Sequence, residues 1–229
     1  MSIINKKTVN NTKINQNKII EIIKKTKINN FYLKNNHDFR DRILKDINIT
    51  HDVLDVGKCM REKFNLIKSR STLTLDINKY RDYPDIICDL CEEIDSSLKY
   101  KFDRIICLAI LEHVYNPFNA VKNLHKILKK KGIIFGYVPF IYYYHAPEDL
   151  KFQDFFRFTK DSLSYLFKDF KKLEIFPVRG RISTPLNILF AGRWKKYVEK
   201  SGINIFLDKF ASDKKNSIQS SGYNFIAIK

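Results

Sequence analysis

Three carboxylates raise the first chemical question. Asp55 and Gly57 stand in "VLDVG", Asp76 ends "STLTLD", and Asp89 follows "DIIC". An acid at the end of a second β-strand, about 20 residues after a strand that closes on a glycine turn, is the spacing that holds a ribose. Its two oxygens accept from both ribose hydroxyls. An acid after the third strand receives an adenine amino group. Each acid alone reads as a solvated loop residue, but three at successive strand ends point to a nucleoside lying across one edge of a sheet. The turn itself departs from a dinucleotide loop, because Lys58, Cys59, Met60 and Arg61 follow Gly57 where further glycines would stand.

The elements that must position these acids alternate. Apolar, β-branched runs at 52–56, 71–77, 85–88, 102–110, 133–140, 172–178 and 223–229 read as strands. Residues 116–132, "NPFNAVKNLHKILKKKG", read as a helix. Pro117 suits its first turn, Val121, Leu124, Ile127 and Leu128 share a face, lysines crowd its last turn and Gly132 closes it. A further helix is expected at 160–168. The alternation predicts an α/β, Rossmann-like, seven-stranded, mostly parallel sheet with helices on both faces. The last strand follows 172–178 across a long irregular stretch with no evident crossover helix, which predicts that it runs antiparallel beside its predecessor.

The rest of the chain divides around this unit. Residues 1–16 are polar, Asn-rich and without period, and are expected as a flexible tail. Residues 17–50 read as a helical lead-in or lid, with "KIIEIIKK" and 38–47 as its helices. The main domain is expected over 51–229, with an insert at 180–222. In that insert Leu189, Phe190, Trp194, Tyr197, Ile205 and Phe206 lie among basic groups, as a cover for a bound acceptor, a homodimer contact or a membrane-interface patch would; packing on its own domain is the plainer reading.

Composition sets the limits. A chain of 229 residues with 44% hydrophobic content suits one globular domain. No apolar run approaches the roughly 20 residues that span a bilayer, and the N-terminus lacks a signal-peptide core, so a cytoplasmic protein is expected. Cys59, Cys88, Cys91 and Cys107 are too few for a disulfide scaffold. Cys88 and Cys91 form a C-x-x-C without a second close pair, so no metal site is expected. The net charge of +17 raises a polyanion partner, nucleic acid or a membrane surface. The basic residues are spread along a Lys-, Asn- and Ile-rich chain rather than set in a nucleic-acid motif, so nucleic acid is not favoured.

The sequence resembles the class I S-adenosylmethionine-dependent methyltransferases of the type 11 and type 12 kind. "VLDVG" is similar to their first motif, "LTLDI" to the second and "DIICDL" to the segment that meets adenine. The stretch "FDRIICLAILEHVYNPFNAVKNLHKILKKKGIIFGYVPF" resembles, nearly end to end, their fourth strand, "LEH" turn, helix and fifth strand. "DFFRFTKDSLSYLF" and "SGYNFIAIK" resemble a subset found with surface-glycan biosynthesis. In that subset a His stands closer upstream of the Asp than His145 does to Asp154, and the longer spacing weighs against a direct pair.

The resemblance implies S-adenosyl-L-methionine as cofactor and transfer of its methyl group to a small molecule or glycan intermediate, with oxygen as the acceptor atom. It implies a cofactor site of Asp55, Val56, Gly57, Asp76, Ile77, Asp89, Leu90 and Leu108, with Lys58 or Arg61 toward the methionyl carboxylate. An oxygen acceptor calls for a base near the methyl group. His113 is the first candidate and His145 the second; a structural, helix-capping His113 is the plain alternative. Asp154 and Arg157 are candidates to position the acceptor, or else form an internal ion pair. Glu112 and the tyrosine run 142–144, Tyr143 in particular, are candidate walls of its pocket. Two other readings stay open: an RNA methyltransferase, favoured by charge, and a non-catalytic binding protein of the same fold, favoured by the altered glycine turn.

Overall fold

The apolar runs pair side by side into one sheet of eight strands. The computed structural model describes residues 6–29, 36–149, 151–189, 202–210 and 219–229. The strands are β1 (Lys27–Ile28), β2 (Asp52–Val56), β3 (Ser71–Asp76), β4 (Ile86–Ile87), β5 (Phe102–Leu108), β6 (Leu128–Pro139), β7 (Lys172–Val178) and β8 (Gly222–Ile228). Their order is β1-β7-β8-β6-β5-β2-β3-β4. Every neighbouring pair is parallel except those of β8, which runs antiparallel to both β6 and β7.

The eighth strand is β1, between the two helices expected in the 17–50 lead-in, where no strand is predicted. Lys27 and Ile28 pair with Glu174 and Ile175 of β7, and the Asn29 amide donates to the Ile175 carbonyl at 2.9 Å. Two residues are too short to show alternation. What recruits them is the open edge of β7, whose backbone groups need partners.

The described helices are α1 (Lys6–Lys25), α2 (Asn36–Asp46), α3 (Pro117–Ile127), α4 (Lys160–Leu166), α5 (Ser183–Leu189) and α6 (Ile203–Phe210). Helix α1 takes in residues 6–16, for which the sequence predicts no element. Helix α3 starts as its sequence predicts, with Asn116 accepting from the Asn119 amide at 3.2 Å and Pro117 in the first turn. It stops at Ile127 instead of Gly132, and Lys129, Lys130 and Lys131 open β6. Lysines suit a helix C-terminus, but Lys129 finds stronger partners: its Nζ lies 2.9 Å from both Asp52 and Asp103, at the starts of β2 and β5.

Successive residues of β5 face opposite sides, so the sheet has two cores. Ile105 packs with Leu54, Leu124 and Leu163 on the side of α3 and α4. Ile106 packs with Val53, Phe135, Phe176 and, from α2, Phe39 and Ile43. Gly136 of β6 lets β8 lie close: a Cβ there would sit 1.9 Å from the Phe225 ring. That ring packs in turn, tilted, against Phe167, with centroids 4.7 Å apart.

In the 180–222 segment, Asp208 of α6 accepts from the amides of Gly180 at 2.8 Å, Ile182 at 2.9 Å and Ser183 at 3.0 Å, tying α6 to the start of α5. Leu189 and Phe206 are exposed, whereas Phe190, Trp194, Tyr197 and the Ile205 side chain lie outside the described residues. Among the described residues no helix is long and apolar enough to cross a membrane.

Candidate active site

The turn after β2 explains how a glycine-poor loop closes. Gly57 has φ 71°, and a Cβ on it would lie 2.5 Å from Ile110 Cδ1. Lys58 and Arg61 also hold positive φ, 46° and 37°, where other chains of this pattern would spend glycines. The fully buried Asp55 carboxylate holds them there. Its Oδ1 accepts from the Cys59 amide at 2.9 Å and the Cys59 thiol at 2.8 Å, and its Oδ2 accepts from the Met60 amide at 3.1 Å. Burial pushes this carboxyl up to about 6, against the pull of those donors.

Helix α2 adds a residue that the sequence reading passed over. Arg40 donates from Nη2 to the Cys59 carbonyl at 3.2 Å, while its Nε is buried with no hydrogen-bond partner. The signal available in the sequence was weak: an arginine next to Phe39 on a helix leading into the first strand of the main domain. Lys58 is not a free cation, since its Nζ lies 5.5 Å from the Phe64 ring centre and 5.3 Å from that of Tyr83. Arg61 is exposed.

Strands β2, β3 and β4 are parallel neighbours, so Asp55, Asp76 and Asp89 follow one another along one sheet edge. They are not equivalent. Asp76 and Asp89 are partly exposed, whereas Asp55 is sealed under its loop. Asp76 accepts from the Asn78 amide at 3.0 Å; Asp89 accepts from the Cys91 amide at 2.8 Å and the Tyr115 hydroxyl at 3.2 Å. Of their neighbours, Ile77 is exposed, while Val56, Leu90 and Leu108 are buried.

The end of β5 leads through Ala109, at φ 57°, into a single turn of 3-10 helix, Leu111–His113. The Glu112 carbonyl accepts from the amides of Phe155 at 2.8 Å and Phe156 at 3.1 Å, which draws the 153–157 segment over this turn. Four titratable side chains meet there. His113 Nδ1 lies 2.6 Å from the Gln153 carbonyl, and His145 Nδ1 lies 3.1 Å from Asp154 Oδ2. The opposite ring nitrogens both face Glu112 Oε1, His145 Nε2 at 3.7 Å and His113 Nε2 at 3.8 Å. Glu112 is fully buried, and neither carboxylate oxygen has a hydrogen bond.

The pair of His145 and Asp154, which the sequence spacing weighed against, is therefore made, and the His145 amide reinforces it at 3.0 Å. The intervening residues loop out, so chain distance is a poor guide here. Asp154 also takes a two-pronged pair from Arg157, which holds its carboxyl down at about 2. Arg157 also donates to the carbonyls of Tyr143 at 2.9 Å and Phe156 at 2.9 Å and, from Nε, to that of Tyr142 at 3.5 Å. Asp154 and Arg157 thus form an internal clamp that positions His145. The Glu112 carboxylate opposite His145 raises the pKa of the imidazole, against burial, with Asp154 adding to it.

A cavity of about 250 Å³ opens beside this cluster, at the ends of β5 and β6. Phe39, Arg40, Leu108 and Ala109 wall it on the loop side. Glu112, His145, Tyr142, Tyr137, Arg179 and Asn224 line it elsewhere. Burial pushes the Tyr137 phenol up to about 12. Glu112 and His145 thus reach the cavity, whereas His113 is not among its lining residues and Tyr143 stacks on Tyr142 at 4.2 Å, half exposed. Arg40, Tyr137, Arg179 and Asn224 come from four separate elements, and no local pattern announces them.

Residues 69–136 match the family model described as a methyltransferase domain. Among solved structures, a chain of the complex between the Haloferax volcanii Trm112 methyltransferase activator and a methyltransferase is similar, with TM-score 0.52, 13% identity, 83% of this chain covered and 88% of that one. That is a likeness of fold. An S-adenosylmethionine-dependent methyltransferase from Mesorhizobium loti follows at TM-score 0.48, 11% identity and coverage of 83% and 98%. A Haemonchus contortus phosphoethanolamine N-methyltransferase 2 in complex with S-adenosyl-L-methionine has TM-score 0.49 and 12% identity; 85% of this chain covers 52% of that one. No curated protein matches the sequence.

Proposed function

We propose that this chain is a class I S-adenosylmethionine-dependent methyltransferase, a reading supported by the match of residues 69–136 to a methyltransferase domain, and that it methylates a hydroxyl oxygen of a small polar acceptor, a glycan intermediate or a comparable small molecule. The observation that carries this reading is the cavity at the ends of β5 and β6, whose wall combines Glu112 and His145 with Tyr142, Arg179 and Asn224. Its volume of about 250 Å³ suits part of a small ligand better than a nucleic-acid strand.

The residues present fit the cofactor. The orphaned, buried Nε of Arg40 is a donor in search of an anion, beside the turn where a methionyl carboxylate would lie. Arg40 takes the part first assigned to Lys58 or Arg61, whose side chains are engaged with aromatic rings or exposed. Gly57 keeps the backbone bare, Asp76 accepts from ribose hydroxyls and Asp89 from the adenine amino group. When bound, S-adenosylmethionine supplies a methyl group already activated by its sulfonium. The chain has then to align the acceptor, exclude water and draw off one proton. Tyr137 and Tyr142 wall out solvent, and the corner of Glu112 and His145 is where the proton leaves.

The test is transfer of labelled methyl groups to a panel of hydroxylated sugars and small molecules, with His145→Ala as control. That variant is expected to bind S-adenosylhomocysteine normally and to transfer at least about tenfold more slowly. Transfer that is undiminished in His145→Ala removes the corner from the reaction. The net charge of +17 favours a second reading, an RNA acceptor. RNA methylated in preference to every small acceptor would establish it.

A further inference from the structure

We propose that Glu112, His113 and His145 form a binding site for a divalent transition-metal ion, with zinc as its natural occupant, open to the cavity on its fourth side. The argument starts from an anomaly. A fully buried carboxylate without a hydrogen bond is expensive to fold around, and Glu112 is such a group. Two imidazoles face it, and both are turned the same way. Each Nδ1 is set against an acceptor, the Gln153 carbonyl at 2.6 Å for His113 and the Asp154 carboxylate at 3.1 Å for His145. An N–H at Nδ1 leaves the Nε2 lone pair to point outward, and that is how a metal-binding imidazole is oriented, with its far nitrogen held by a carbonyl or carboxylate.

The dimensions agree. Ligand atoms about 2.1 Å from a tetrahedral zinc stand about 3.4 Å from one another. The two Nε2–Oε1 distances are 3.7 and 3.8 Å, and all three ligand atoms lie within 4.8 Å of one another. A shift of the two partly buried imidazoles by a few tenths of an ångström to about 1 Å closes the set. Two imidazoles and one carboxylate select zinc or a neighbouring first-row ion over magnesium or calcium, which favour all-oxygen sites. Among the described residues this is the one cluster of histidine, cysteine and acidic groups with that geometry, and it is separate from the C-x-x-C of Cys88 and Cys91.

The site deepens the acceptor reading and rests on it for its catalytic part. Glu112 and His145 line the cavity, so the ion's open position faces an acceptor seated there. The acceptor hydroxyl binds the ion at the Glu112–His145 corner and loses its proton there to bulk water as it enters, before Tyr137 and Tyr142 close the cavity to solvent. The oxygen lone pair then forms the new bond to the methyl carbon while the carbon–sulfur pair returns to sulfur, giving a methyl ether and S-adenosylhomocysteine. His113 and His145 act here as ligands, and Asp154 as the positioning residue behind His145.

The experiment uses the full chain, stripped with a chelator and titrated with Co²⁺ as a visible-spectrum probe and with Zn²⁺ by equilibrium dialysis. The expected result is one equivalent of either ion, with the intense d–d bands of four-coordinate cobalt. Glu112→Gln, His113→Ala and His145→Ala are expected to lose it, and Asp154→Asn to weaken it about 10–100-fold. Glu112→Gln keeps the shape and removes a buried charge, so its metal-free form stays folded; zinc should raise the melting temperature of the parent chain and leave that variant unmoved. No stoichiometric ion, unchanged binding in Glu112→Gln, or loss of binding only in Cys88→Ser and Cys91→Ser overturns the site. S-adenosylhomocysteine calorimetry on the same samples separates the two readings: a chain that binds S-adenosylhomocysteine but takes up no ion loses the metal alone, and transfer that survives complete stripping removes its catalytic part.

Discussion

At the scale of single residues, Asp55 does two things at once. It replaces missing glycines by tying the Cys59 and Met60 amides to its own oxygens, and it does so from a fully buried position. Asp55→Ala leaves buried donors unsatisfied, at about 1–3 kcal/mol, and should loosen the turn enough to weaken S-adenosylmethionine binding. Urea unfolding and calorimetry read the two effects. The same carboxyl gives a pH signature. Burial lifts its pKa to about 6, above the unfolded value near 3.9, so the folded chain prefers it protonated. This group's contribution to stability is full below about pH 4 and falls as pH rises through about 6, by something on the order of 3 kcal/mol. Asp55→Asn should flatten that part of the profile relative to the parent chain; equal slopes in both proteins would show that the carboxyl is already ionised.

At the scale of elements, the Asp208 side chain ties the start of α5 to α6. Asp208→Ala frees the amides of Ile182 and Ser183, leaves that of Gly180 with only the Ser183 hydroxyl, and should cost about 1–3 kcal/mol locally. Faster amide exchange in 180–189, with β2 and β5 unchanged, is the expected readout. Gly136→Val is predicted to be worse, because its side chain would enter the Phe225 ring and part β6 from β8; loss of soluble protein or of cooperative unfolding checks it. The elements that the sequence disclosed are those with dense local signals. The β-branched runs of β2, β3 and β5, Pro117 in the first turn of α3, and the placing of Asp76 and Asp89 at strand ends were all legible. The start of β6 was not, because Lys129, Lys130 and Lys131 suit a helix end until Asp52 and Asp103 are placed beside them. Strand β1 was not, because only the edge of β7 calls it into being. In the site, His145, Asp154 and Glu112 were each picked out, but their meeting depends on two amides bonding to the Glu112 carbonyl, a contact across more than 40 residues that no local pattern encodes.

At the scale of the whole molecule, charge and topology pull in different directions. The net charge of +17 will retain RNA non-specifically at low salt. That retention is predicted to vanish between about 50 and 200 mM salt, as a filter-binding series would show; persistence at high salt would instead favour an RNA acceptor. Topology has a different outcome. Strand β8 lies between β6 and β7, yet it is made after both. Until residues 222–228 are made, β7 has only the two-residue β1 beside it, and β6 lacks its partner on the β8 side. The sheet can therefore close across its middle only once the last seven-residue strand has been released to slip between two segments that were made before it.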